Sequence, residues 1–290
     1  MTDVVVDRAV APGANPLSAR EPRQIAFLTR GNQHGPITRL VSPGDVGELI
    51  KPFVFLDFIA VDGAGLGGFG WHPHSGIATL TVILEGGIRY EETTGAKGEL
   101  SAGGLEWMRA GNGVWHTGGP SDAGRVLGYQ LWVALPSDLE NGPSASQYVQ
   151  PEDVPVEGPA RVILGRHGKA VSPIAAPPDM NYLVVNLKAG ERWTYPPPAG
   201  HTVGWISVHR GQVRTPALVS AGELAVFEPS DGPIEFVAEG ATAFVLGSAI
   251  PHPHDLVLGR YSVHTSPAAL RQGEAEIRRI GTTAPQLRRR

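Results

Sequence analysis

A chain of 290 residues with a net charge of −4 can form one large or two medium domains, each burying its own core. It is too acidic for a broad nucleic-acid footprint. The absence of cysteine excludes disulfides, thiolate nucleophiles and Cys-ligated zinc, and no stretch approaches the roughly 20 apolar residues of a membrane span.

The opening "MTDVVVDRAVAPG" fits neither a signal peptide nor an anchor, so cytoplasm is the expected location. Residues 1–22 are polar, contain Pro and Gly, and read as a flexible arm. From residue 23 the chain turns strand-like, with "QIAFLT", "FVFLDFIAV", "ATLTVILEGGIRYEE", "LEWMRA", "GVWHT" and "RVLGYQLWVAL". These runs are short, rich in β-branched and aromatic residues, and separated by Gly-rich turns. A first β domain is therefore expected over 23–136. Residues 137–159 are polar and Pro-rich, the composition of a connection. Strand-like runs resume with "ARVILG", "NYLVVNLKAG", "VGWISVHRGQV", "GELAVFE", "PIEFVAE" and "ATAFVLGSA", giving a second β domain over 160–290. It closes on one helix, about 266–281, with Ser266 as N-cap, Pro267 at the first position and Gly281 as the stop. The halves resemble each other: "HSGIATLTVILEGGI" and "HTVGWISVHRGQV" set His74 and His201 in matching places. The expected fold is all-β, a duplicated antiparallel barrel.

The candidate site begins at "WHPHSGIATLTVILEGG". On a strand, residues two apart share a face, so His72 and His74 can converge. Pro73 between them cannot donate to a ladder and places the segment at an edge or a strand start. His116 ends the Gly-punctuated stretch "AGGLEWMRAGNGVWH", whose tight reversals can return a third imidazole to the first two. A second HPH, His252 to His254, precedes no long strand with a returning histidine and reads as solvated loop. After His201, position 203 is Val and no Gly-spaced histidine follows, so the second domain is expected to be metal-free. Glu91 and Glu92 read as a solvated strand end. Glu106, one residue before Trp107, alternates so that it can point into the barrel. Asp57, inside "FVFLDFIAV", reads as a hydrogen-bonded buried carboxylate and the first acidic residue to seek near a metal. The glycines of "GAGLGGFG" lack the strand-to-helix context and the Lys of a phosphate loop.

An HxH before an apolar strand, followed by a Gly-rich hairpin ending in His, is the cupin pattern. "HPHSGIATLTVILEGGI", "LEWMRAGNGVWHT" and "GYQLWVALP" resemble the pirins, which are two-cupin proteins. The resemblance runs from about residue 23 to 281, including "GRYSVHT" and the helix. It implies two tandem cupins and one mononuclear metal in the first, usually iron, with Mn, Ni, Cu and Zn as alternatives. By the same resemblance His72, His74 and His116 are the histidine ligands. The family's fourth ligand, a glutamate that doubles as base, falls at Gly118, and the general cupin glutamate falls at Ala78. Three neutral imidazoles can still hold a divalent ion with water completing the shell, or the pocket is vacated and structural. The resemblance implies either a quercetinase-type dioxygenase acting on a small aromatic or anionic ligand, or a regulatory module that binds a protein partner. Neither direct nucleic-acid contact nor a membrane is expected, and the sequence assigns no catalytic residue.

Overall fold

The computed structural model describes residues 23–61, 68–122 and 124–288, so the expected arm over 1–22 lies outside the described residues. The first half contains β1 (Ile25–Thr29), β2 (Asn32–His34), β3 (Ile37–Val41), α1 (Val46–Ile50), β4 (Phe53–Val61), β5 (Phe69–His74), β6 (Ile77–Glu85), β7 (Gly87–Glu92), β8 (Lys97–Ser101), β9 (Leu105–Arg109), β10 (Val114–Pro120), β11 (Val126–Ala134) and β12 (Ala145–Val149). A seven-stranded sheet in the order β12-β9-β6-β11-β4-β3-β2 faces a four-stranded sheet in the order β5-β10-β7-β8. The second half repeats the plan with another seven-stranded sheet and another four-stranded one. The all-β architecture with a terminal helix is therefore what the sequence patterning implies, and its duplication is visible strand for strand.

Alternation along β6 shows how the two barrels join. Ala78, Leu80 and Val82 lie with Leu56, Trp107 and Leu131 in a layer shared with Tyr182, Val184, Trp205 and Val245 of the second half. The two large sheets thus pack back to back, with Phe53 edge-on to Trp205 at 5.5 Å between centroids. Each such fully buried side chain contributes on the order of 1.5–3 kcal/mol, and the two large sheets share this layer. The intervening positions Thr81 and Ile83 point the other way and line a cavity in the first barrel.

Three elements depart from the linear reading. β1 pairs with Leu224–Phe227 of the second half's large sheet, although the sequence reading places it inside the first domain, 23–136. Ile25 packs on the second barrel's own core, which also holds Phe227, Phe236 and Phe244. Inside the Pro-rich stretch 137–159, β12 adds to the edge of the first sheet by pairing with β9; the prolines at 143, 151 and 155 flank it and do not interrupt its ladder. The five-residue α1 has too few residues for a periodic signal and was not expected.

The terminal helix, α2 (Pro267–Thr283), starts as expected, with Ser266 Oγ accepting from the Ala269 amide at 3.2 Å. It runs past Gly281, which is not a stop. A Cβ at that position would lie 2.9 Å from the Trp115 ring, so the glycine allows close approach of helix and strand. Trp115 Nε1 donates to the Ile277 carbonyl at 2.7 Å, tying α2 to β10. Among the described residues no helix is long and apolar enough to cross a membrane.

Candidate metal centre

β5 is the edge strand of the small sheet, which accommodates Pro73. It pairs with β10 so that His116 lies directly opposite His72, and Val114 opposite His74. Period-2 alternation puts His72 and His74 on one face, and this register adds His116. Ring centroids lie 5.1 Å apart for His72–His74, 4.3 Å for His72–His116 and 5.0 Å for His74–His116. One ring nitrogen from each lies within 4.8 Å of the other two, and this is the one such cluster of three among the described residues.

The tautomers follow from the partners. His72 Nδ1 sits 2.8 Å from the Gly70 carbonyl and His74 Nδ1 3.0 Å from the Tyr261 carbonyl. A carbonyl can only accept, so each Nδ1 carries the hydrogen and each Nε2 presents a lone pair. Fixing the ring through its other nitrogen is how ligand histidines are held. The Nε2 atoms of His74 and His116 are buried without any hydrogen-bond partner, an arrangement that costs about 1–3 kcal/mol per atom unless something fills it. Burial lowers the pKa of all three rings; His74 is pushed down to about 3, with the nearby His72 adding to the effect. Neutral imidazoles with inward lone pairs fit a divalent transition metal.

His72 and His116 line a cavity of about 60 Å³ together with Thr81, Tyr90, Glu106 and Gly118. It adjoins an open groove of about 800 Å³, with Phe69, Tyr90 and the stretch Thr117–Pro120 in both walls. Gly118 lies at a bulge in the β5–β10 pairing, its φ is not left-handed, and a Cβ there would stand 3.2 Å from the Arg89 carbonyl oxygen. Ala78 faces the apolar layer between the barrels.

Asp57, buried and hydrogen-bonded, and Glu106, facing the barrel interior, lie as the sequence implies, whereas Glu92 does not. Asp57 is tied to Arg39, whose Nη2 donates to Oδ2 at 3.1 Å and whose guanidinium lies 3.9 Å over the Phe55 ring. Burial raises the Asp57 pKa and Arg39 opposes the rise. Glu106 instead lines the cavity with the histidines. It is buried, accepts from Thr81 Oγ1 at 2.7 Å, and is pushed up to about 7 by burial, further raised by Glu92 and opposed by Thr81 and Tyr148. Glu92 is not a solvated strand end: it is fully buried and accepts from Thr94 and Ser146 at 2.7 Å each, and from Tyr148. The missed signal was alternation, since Ile88, Tyr90 and Glu92 share one face of β7 and the first two line the cavity. Tyr148 comes from β12, inside the stretch read as a connection.

His252 is also buried rather than solvated, while His254 is half-buried beside it at 5.5 Å between ring centroids. In the second barrel His201 is buried and its Nδ1 lies 3.0 Å from Ser248 Oγ, and the barrel interior is filled by aliphatic and aromatic side chains.

Two back-to-back barrels, the first carrying a three-histidine cluster at its small sheet, define a bicupin. The pirin family model matches residues 37–133. A pirin-like protein from Caulobacter vibrioides is 40% identical over 124 residues, 42% of this chain and 45% of the relative, so that match spans less than half of the relative's length. A Pseudomonas aeruginosa protein provisionally named a quercetin 2,3-dioxygenase is 30% identical over 232 residues, 74% of this chain and 81% of the relative. The crystal structure of a quercetin 2,3-dioxygenase from Acinetobacter baumannii has the same fold, with a TM-score of 0.82 over 91% of this chain and 99% of the other, at 24% identity. The chain belongs to the pirin family.

Proposed function

We propose that the protein is a mononuclear metal-dependent dioxygenase of quercetinase type. His72, His74 and His116 would hold one divalent transition-metal ion, iron by preference, through their Nε2 atoms. The observation that carries this reading is the pair of buried, partnerless Nε2 atoms on His74 and His116, in a cluster whose His72 and His116 line the cavity beside the open groove. The name of the Pseudomonas relative supports the substrate class, a flavonol-like phenol. A metal in such a site supplies Lewis acidity, a template and a redox centre.

The chain's own residues set what can enter. A cavity of about 150 Å³ is known to hold benzene, so the inner space of about 60 Å³ suits the oxygen-bearing edge of an aromatic ligand better than a whole ring. The rings would lie in the outer groove against Phe69, Tyr90 and Pro120. Gly118 and Gly119 keep the passage between the two spaces free of side chains. Three neutral ligands leave a divalent charge uncompensated, which favours an ionised phenol over a neutral one. The test is elemental analysis of protein purified without a His-tag, followed by aerobic assay with a flavonol. About one ion per chain, lost in His116→Ala, and turnover dependent on that ion are expected. A His116→Ala protein with undiminished metal would overturn the assignment.

A further inference from the structure

The proposed chemistry needs a proton acceptor for the phenol, and position 118, where the family carries its glutamate, is glycine. We infer that Glu106 is the proton acceptor of this site, a catalytic residue supplied from β9 on the opposite sheet. The inference rests on the oxygenase reading and assigns one group within it.

Four observations point there. Glu106 lines the same cavity as His72 and His116, and His116 Nε2 is buried in that wall with no partner. The cross-strand register puts Glu106 opposite Thr81 and Tyr148, at the centre of a row running through β12, β9 and β6. The row faces the barrel interior, because Trp107 and Leu105 on the other parity of β9 face the second domain. The two buried carboxylates also differ in spare capacity. Glu92 receives hydroxyl hydrogens from Thr94, Ser146 and Tyr148. Glu106 receives one short hydrogen bond, from Thr81 at 2.7 Å, while Tyr148, whose single hydroxyl hydrogen goes to the nearer Glu92, lies 3.4 Å away. A carboxylate offers about four acceptor positions, so Glu106, which lines the cavity, keeps lone pairs free. Its pKa of about 7 suits a base working near neutrality. Glycine at 118 is then intelligible: it opens the path from the groove to Glu106.

The step is a proton transfer. The phenolic O–H bond breaks, its electron pair stays on oxygen, and an O–H bond forms on the Glu106 carboxylate. Thr81 holds that carboxylate in place and, by donating to its charged form, makes it a weaker base than burial alone would.

Metal-reconstituted protein is titrated with quercetin from pH 5 to 9 and the absorption band of the bound phenolate is followed. Wild type should ionise the bound probe with a midpoint below that of free quercetin. Glu106→Gln should keep its metal, ionise the probe with a midpoint above that of wild type though still below the free one because of the metal, and turn over about 100-fold more slowly or worse. Thr81→Val should keep the metal and, by leaving Glu106 the stronger base, move the midpoint downward, which a structural role for Thr81 would not do. If Glu106→Gln ionises the probe as wild type does, or loses its metal, the inference falls and the oxygenase reading stands. Should Glu106→Gln fail to fold, an unchanged midpoint in Thr81→Val overturns the inference by itself. A wild-type holoprotein that binds no quercetin overturns the oxygenase reading and this assignment with it.

Discussion

Gly118→Glu tests whether position 118 still faces the metal site. The backbone admits the change: φ is not left-handed, and the single close neighbour of a Cβ, the Arg89 carbonyl oxygen at 3.2 Å, must yield by a few tenths of an ångström. In metal-free protein the new carboxylate enters a cavity of about 60 Å³ beside Glu106 and His116 and finds no cationic partner, since the three rings are neutral. Burying an unpaired polar group costs about 1–3 kcal/mol, more when it is charged. Taking about 2 kcal/mol and roughly 2–4 °C per kcal/mol for a protein of this size, the melting temperature should fall by about 4–8 °C. With saturating metal the carboxylate becomes a ligand and the penalty should vanish. A tenfold gain in affinity would add about 1.4 kcal/mol at fixed metal concentration. Melts of both proteins, stripped and reconstituted, together with chelator competition, measure every quantity. Gly118→Gln, of nearly equal bulk, separates charge from size. Equal losses in stripped and loaded protein, with no change in chelator competition, would show that position 118 does not reach the metal.

Replacing His252 and His254 together by Ala should leave metal content unchanged, because they do not join the three-histidine cluster; loss of the ion in that variant would misplace the site. Metal-free protein should lose stability on acidification. His74, His209 and His252 are held near 3, 4 and 4, so below about pH 6.5 the unfolded chain binds protons that the folded one refuses. Stability therefore falls with pH, by about 2 kcal/mol from buried His74 alone between pH 6.5 and 5, and urea midpoints that stay level or rise over that range would contradict it. Deleting residues 266–290 removes the acceptor of Trp115 Nε1 and the cover over β10; a lower melting temperature and weaker metal retention are expected, and a soluble, unchanged truncation would refute the coupling.

How much of this was legible depends on the range of the physics involved. His72 and His74 are two residues apart on one strand, so local alternation places them together. His116 needed only a Gly-rich return. The all-β class and the duplication follow from short apolar runs and turns, which are local too. Glu92 was also locally legible, through the parity of Ile88 and Tyr90, but its charge outweighed its parity in the reading. The burial of His252, the pairing of β1 with the second barrel and the contact of Gly281 with Trp115 are set by elements far away in the chain. Nothing in their own neighbourhoods encodes them.

Glu106 shows where this limit bears on function. Its alternation with Trp107 told which residues share its face but not what that face looks into. Its place in the cavity is fixed by the β6–β9 register, in which Thr81 lies opposite Glu106, and by the back-to-back packing that commits Trp107 to the other side. A motif read along the chain registers a missing carboxylate at Gly118 as a loss of chemistry. The cavity is indifferent to which strand supplies the carboxylate, provided it reaches the same space. A buried acid on the opposite sheet, held by Thr81 and left with free lone pairs, meets that requirement, so an empty position in a linear motif does not by itself argue for an inactive site.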